Sequence, residues 1–212
     1  MYFRSGATRY SGRFSEGVCL RRLQTAVSWF QPHSIRSLEL IDSASPDRKV
    51  SVIDVGGGAS TLVDDLLARG FGDVTVLDIA EPALERSKVR IGSASDRVGW
   101  IVADITQWKP ARTWDIWHDR AVFHFLTEQG HQDAYVAALT AGTKAGATVI
   151  MATFALDGPE KCSGLPVQRY SPALLATRLG DRFMLTADAS ETHVTPWGSE
   201  QRFSYAVLRR LE

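Results

Sequence analysis

Two hydrophobic periods alternate along this chain, and the alternation limits its fold more than any other feature. Short apolar runs read as strands: KVSVIDVG, DVTVLD (Asp73 to Asp78), GWIVAD (Gly99 to Asp104), WDIWHD (Trp114 to Asp119) and ATVIMATF (Ala147 to Phe154). Segments between them repeat apolar residues every three or four positions and read as helices. Ile35, Leu38 and Ile41 mark a helix over Ser34 to Ala44, with Ser34 as N-cap. Leu62, Val63, Leu66 and Leu67 mark a second, stopped by Gly70. A third, AEPALERSKVRIG, carries Pro82 near its first turn, where a missing N–H costs nothing. AVFHFLTE and HQDAYVAALTAG read as helical, and SPALLATRLG as a helix capped by Ser171. Strand and helix in series imply a parallel sheet with helices on both faces. An all-apolar strand such as ATVIMATF fits a position covered on both sides. The final segments differ: RFMLTADASETHV and EQRFSYAVLRR flank the short turn TPWG and predict an antiparallel pair at one edge.

An open parallel sheet binds ligands beyond the carboxyl ends of its strands. There the first strand runs into SVIDVGGGAS, Ser51 to Ser60. Gly56 and Gly58 can take positive φ and let a ligand touch the backbone. Three adjacent glycines exceed what a turn needs. The N–H groups opening the next helix suit a carboxylate or a phosphate. The dinucleotide fingerprint GxGxxG fails, because Thr61 holds its last glycine position. What is present is acidic-x-Gly-x-Gly: Asp54, Gly56 and Gly58. Asp78, at the tip of the second strand, can accept both hydroxyls of a ribose. Asp104, at the tip of the third, suits an adenine amino group.

Taken in order, IDVGGGAS, VTVLDIA, WIVADIT and WDIWHDRAVFHFL resemble the strand-end motifs of class I S-adenosylmethionine-dependent methyltransferases of small bacterial type. The resemblance runs from about Trp29 to the C-terminus. It implies an α/β fold: a doubly wound, mostly parallel seven-stranded Rossmann-like sheet with an antiparallel C-terminal strand. It implies S-adenosyl-L-methionine as cofactor. Gly56, Gly57 and Gly58 would approach the methionine part, and Asp54 would order their loop. Asp78, with Ile79 beside it, would hold the ribose; Asp104 and Ile105 would frame the adenine. Ser60 replaces the family's third glycine and is expected to cap the helix and bond the carboxylate. Lys144-Ala145-Gly146-Ala147 replaces the usual Pro-Gly-Gly before the fifth strand, a change of turn geometry. Trp29, Phe30 and Gln31, in SWFQPH, are expected to form a lid, with Trp29 offering an aromatic face to the sulfonium.

The sulfonium is intrinsically a good methyl donor, so alignment and exclusion of water are the main tasks. Proximity and orientation can supply roughly 7–11 kcal/mol. A general base adds about 10²–10⁴-fold, where the acceptor arrives protonated. Candidates cluster after the fourth strand. His118 can take a proton near neutral pH. Asp119 can bond the methionine ammonium or steer a cationic acceptor. Arg120 can bind an acidic substrate or pair with a surface carboxylate. His124 is a substrate candidate. The loop ALDGPEKCSGLPVQRY is long for a compact domain and brings forward Cys162, Arg169 and Tyr170. The turn TPWG puts Trp197 at a sheet end, beside the acceptor. Plain packing roles stay open for His118, His124, Cys162, Trp29 and Trp197.

A length of 212 residues, 44% hydrophobic, supports one core. A single domain is expected over 26–212, behind a loose Ser-, Gly- and Arg-rich arm over 1–25. Basic and acidic residues number 24 each, so charge gives no case for nucleic acid or an anionic membrane. Two cysteines, Cys19 and Cys162, make neither a disulfide scaffold nor a metal site, and a cytoplasmic setting is expected. No apolar run nears the roughly 18–20 residues that span a bilayer. The expected function is methyl transfer to a small-molecule acceptor. A protein lysine methyltransferase is the alternative: Asp119 to Phe123 faintly resembles the Asp-Lys-Gly-Thr-Phe run of elongation-factor lysine methyltransferases, with Arg120 in the lysine position. A non-catalytic S-adenosylmethionine-binding scaffold is a third reading.

Overall fold

The computed structural model describes residues 28–212. The expected arm over 1–25 and Cys19 lie outside the described residues.

Elements follow the sequence periods closely. In chain order they are α1 (Ile35–Ala44), β1 (Ser51–Val55), α2 (Leu62–Ala68), β2 (Asp73–Asp78), α3 (Glu81–Ile91), β3 (Val98–Val102), β4 (Trp114–Arg120), α4 (Gln129–Gly142), β5 (Thr143–Phe154), β6 (Lys161–Cys162), β7 (Leu165–Pro166), α5 (Pro172–Leu179), β8 (Phe183–Val194) and β9 (Glu200–Arg210). Seven strands form one sheet in the order β3-β2-β1-β4-β5-β9-β8. Pairing is parallel from β3 through to β5. The last strand, β9, runs antiparallel to both its neighbours, as the resemblance implies. β6 and β7 make a small separate hairpin within the long loop.

Side-chain alternation divides the core into two layers. Ile53, Val55 and Trp117 face one side, against Tyr135 and Leu139 of α4 and Leu175 of α5. Val52 and Ile116 face the other, against Leu38 and Ile41 of α1, Leu62 and Leu66 of α2 and Leu84 of α3. Each such Leu, Ile or Phe contributes about 1.5–3 kcal/mol when fully buried. The same alternation sorts the end of β4, and so decides which of its polar residues can meet a ligand.

Four local expectations are corrected. AVFHFLTE is not a helix; it holds only a 3-10 turn at Phe123–Phe125. Ala121 adopts φ +70°, which a helix cannot contain, and the Asp119 carboxylate takes the N–H groups of Val122 and Phe123 (2.9 and 3.1 Å). β4 extends one residue further than expected, to Arg120. β5 starts at Thr143, before Ala147, with Gly146 at φ +83° and an irregular register between Trp114 and Ile116. Ser34 occupies the N-cap of α1 but its hydroxyl makes no cap bond, whereas Ser171 caps α5 as expected by accepting from Leu174 N–H (3.2 Å).

Candidate functional site

One cleft opens at the carboxyl ends of β1, β2, β3 and β4. Its floor is the glycine loop. A Cβ on Gly57 would collide with the Asp54 carboxylate, and one on Gly58 would lie 2.5 Å from Asp78 Oδ2. A Cβ on Gly56, at φ +74°, would meet the Val122 side chain. The glycines therefore let backbone lie directly against two carboxylates, where any side chain would push them apart.

Two of the three carboxylates at the cleft, Asp78 and Asp104, are held by short-range bonds. Asp78 Oδ1 accepts from Ala80 N–H (2.8 Å). Burial pushes its pKa up to about 6, against the N–H groups of Ala80 and Gly58, which pull it down. Asp104 accepts from the N–H and hydroxyl of Thr106 (2.9 and 2.7 Å) and from Gln107 Nε2 (3.0 Å). Asp54 is reached from farther off. Its Oδ1 lies 2.7 Å from His118 Nδ1, and His118 Nε2 lies 2.9 Å from the Ser37 hydroxyl. A carboxylate only accepts, so Nδ1 carries a proton, and the Ser37 hydroxyl occupies Nε2. Ser60 takes Leu62 N–H on its hydroxyl (3.1 Å), as expected of a residue opening the helix; Arg90 holds Asp64 and the Ser60 carbonyl.

The segment Ser28–His33 crosses the cleft as a strap. Thr61 donates to the Pro32 carbonyl (2.9 Å), His193 Nε2 to the Ser28 carbonyl (2.7 Å) and Gln31 Nε2 to Glu191 (2.6 Å). Trp29, Phe30 and Gln31 all line the cleft, with Trp29 against Ala59, Ala80 and Ala83.

Beyond β4 the cleft continues between Arg120, Ala121, Val122, Phe125, Cys162, Ser163 and Leu165. Arg120 stacks on Phe203 at 4.4 Å, and its Nε donates to the Tyr205 hydroxyl (3.3 Å). The Cys162 thiol is pushed up to about 11 by burial, so it stays protonated.

The cleft thus gathers Trp29, Asp54, Gly56, Gly57, Ser60, Asp78, Ile79, Asp104, Ile105, His118, Arg120 and Cys162. Gly58 lies behind it, against Asp78. The other candidates are elsewhere. Asp119 points to the opposite face of β4 and is wholly buried, accepting from Val122, Phe123 and the Tyr135 hydroxyl (2.6 Å). Burial pushes its pKa up to about 6, opposed first by the Tyr135 bond. His118 lines the cleft, yet both ring nitrogens are engaged, which removes the free base expected of it. His124 is buried against Phe125 and Phe154, and burial lowers its pKa to about 3. Arg169 bonds the Gly158 carbonyl and Glu160 within its own loop. Tyr170 packs on Phe123 and its hydroxyl accepts from Gln132. Trp197 is 54% exposed at its turn. None of these five (Asp119, His124, Arg169, Tyr170, Trp197) lines the cleft. Glu191, Ser37 and Val122 were not among the candidates. For Asp119 and His118 a signal existed: alternate residues of a strand face opposite ways.

Residues 52–146 match a family model described as a methyltransferase domain. No curated protein sequence matches the chain significantly. Solved structures do resemble it. An S-adenosylmethionine-dependent methyltransferase from Anabaena variabilis aligns with a TM-score of 0.72, over 94% of this chain and 93% of its own, at 13% identity. The 1,6-didemethyltoxoflavin-N1-methyltransferase of Burkholderia thailandensis, solved with 1,6-didemethyltoxoflavin and S-adenosylhomocysteine, scores 0.68, over 97% and 87%, at 18% identity. The N-methyltransferase NodS of Bradyrhizobium japonicum scores 0.65, over 84% and 96%, at 16% identity. At such identities the likeness establishes the Rossmann-like methyltransferase fold.

Proposed function

We propose that this chain, whose residues 52–146 match the methyltransferase domain model, transfers a methyl group from S-adenosyl-L-methionine to a small-molecule acceptor. One observation carries the reading. A single cleft has a carboxylate-lined end over the glycine loop and an apolar end walled by Val122, Phe125 and Leu165. The residues at the first end fit the cofactor. Asp78 has one oxygen on Ala80 N–H, and its second, beside Gly58, can still accept from a ribose. Asp104 and Ile105 frame the adenine, with Ile79 beside the ribose. Gly56, Gly57 and Asp54 face the methionine part, and Trp29 covers it from the strap. Bound there, the cofactor supplies an electrophilic methyl group on a sulfonium.

The protein's own contribution is alignment. Arg120, Cys162 and the apolar walls fix the acceptor, and the strap excludes water, which suits a reaction driven mainly by proximity. His118 acts through Asp54 as a positioning residue. With its nitrogens engaged and the Cys162 thiol protonated, the site favours an acceptor atom that already carries its lone pair near pH 7. That the two neighbours above are named as N-methyltransferases supports this choice. The catalytic unit spans 26–212, and a cytoplasmic setting suits the free buried thiol of Cys162. Among the described residues no helix is long and apolar enough to cross a membrane.

Calorimetry with S-adenosylmethionine and NAD in parallel tests the cofactor. A lysate incubated with protein and labelled methyl donor tests the acceptor. Label in the small-molecule fraction is expected. Label in protein would replace this reading with the lysine methyltransferase, and preference for NAD would end it.

A further inference from the structure

Two residues before Asp54 and His118, Val52 and Ile116 put apolar side chains on the same face of the sheet, against Leu38 and Ile41 of α1. Asp54 and His118 then break that run. They are register partners on β1 and β4, and with Ser37 of α1 they form a polar chain in which no residue is more than 3% exposed. His118 Nδ1 lies 2.7 Å from Asp54 Oδ1, and Nε2 lies 2.9 Å from the Ser37 hydroxyl. A buried chain of this kind gains little stability over an apolar core; what it fixes is orientation.

The imidazole shows how. Turned half a turn about its Cβ–Cγ bond, it would offer carbon atoms to both partners. One bond at each nitrogen selects a single setting, and Ser37 supplies one of the two. The ring in turn sets the carboxylate. With Oδ1 on the imidazole, Oδ2 falls against Gly57, where a Cβ would lie 2.3 Å from it. The rest of the glycine loop is held from α3, by Ser87 on the Gly58 carbonyl (2.6 Å) and Arg90 on the Ser60 carbonyl (2.6 Å). The far end of the chain reaches β9 as well: burial pushes Tyr205 up to about 12, and the Ser37 hydroxyl is among the groups that oppose it.

We propose that Ser37, His118 and Asp54 act as one positioning unit that sets the glycine loop in its ligand-receiving shape before any ligand binds. Ser37 is its anchor and His118 its spacer, and only Asp54 meets the loop. The strap enters α1 through Ser34, itself a cleft residue, so the cover of the cleft and the support of its floor hang on one helix. The inference rests on the methyl-transfer reading only for the identity of the ligand.

Four variants of the full chain test it: His118→Leu, which removes both bonds; His118→Asn, whose amide nitrogen replaces Nδ1 as donor to Asp54; Ser37→Ala; and Asp54→Asn. Amide exchange over residues 55–62 is followed by mass spectrometry without ligand, with residues 147–154 of β5 as the reference for global opening. The loop includes the N–H groups of Gly56 and Ser60, bonded to the Leu77 and Gly57 carbonyls. His118→Leu should speed loop exchange at least about tenfold relative to β5, Ser37→Ala about threefold, and His118→Asn less than either. Calorimetry with S-adenosylhomocysteine should give the same order of lost affinity. In an Asp54→Asn chain, His118→Leu should cost less than about twofold more, because it acts through Asp54. Melting curves show which variants fold; if His118→Leu does not, Ser37→Ala carries the test. Loop exchange that rises only in step with β5, or stays level in Ser37→Ala, would overturn the inference. So would His118→Asn as harmful as His118→Leu, or a full additive loss in the Asp54→Asn chain. No binding of S-adenosylhomocysteine by the unmodified protein, with the order of loop exchange as expected, would instead overturn the cofactor reading alone.

Discussion

The two ends of the cleft are built by different means. At the end proposed for the cofactor, Asp78 and Asp104 bond to backbone two residues on, so each strand tip carries its own clamp. At the end proposed for the acceptor, the polar contacts across the cleft join distant segments. Gln31 meets Glu191 across 160 positions, Arg120 meets Tyr205 across 85, and His193 meets Ser28 across 165. The first end needs only the right strand endings. The second needs the whole sheet assembled, with β8, β9 and the strap in register. A local site tolerates change elsewhere and fails at single residues. A distributed site shares its support and is open to variation in what it selects.

Asp119 supports both ends, since it shapes the loop whose Val122 abuts Gly56. Asp119→Ala should give the largest effect. It strands two N–H groups and the Tyr135 hydroxyl, and stability should fall on the order of 3–5 kcal/mol in urea titrations. A loss below about 1 kcal/mol would deny the loop this anchor. Asp78→Ala should sharpen the contrast: S-adenosylhomocysteine affinity falls on the order of 100-fold by calorimetry, while the melting temperature holds. Stability should not fall with it. The folded pKa is raised to about 6, so any stability from its protonation is present below the ordinary carboxylate range and lost as pH rises through 6. Gly56→Ala should cost about 1–2 kcal/mol for the positive φ alone, with a further penalty from Val122, read as a lowered melting temperature.

Cofactor affinity should run with pH in the opposite sense to the stability term. A ribose donating to ionised Asp78 is bound best above pH 6, and affinity should drop by up to about tenfold per pH unit below it. The drop should vanish in Asp78→Asn; if it persists, another group controls it. The smallest effect belongs to Trp197→Ser. This exposed ring lies outside both ends, and stability should stay within about 0.5 kcal/mol with methyl transfer unchanged.

This contrast also explains what could be read from the sequence. The glycine loop and the aspartates of β1, β2 and β3 were legible because strand ends and glycine conformations are local properties. The seven strands and the antiparallel β9 were legible from period and turn length. Proximity in sequence misled at Asp119 and His124: both neighbour cleft residues along the chain, but alternation and the turn at Ala121 send them into the core. Arg169 and Tyr170 were proposed from loop length alone, and the loop spends them on its own support and on the core. Glu191 gave no signal at all. It sits on an edge strand, in a stretch where alternate residues face solvent, and only tertiary pairing brings it to Arg120.

The order β5-β9-β8 has a consequence in time. β8 joins the sheet only through β9, although it precedes β9 in the chain. During synthesis, β1 to β5 emerge first, and with them the glycine loop, Asp78 and Asp104. Glu191 and His193 stay unanchored until the last strand slots in between. The glycine-loop side of the cleft thus lies among the strands made first, and the anchors of the strap across it among those made last.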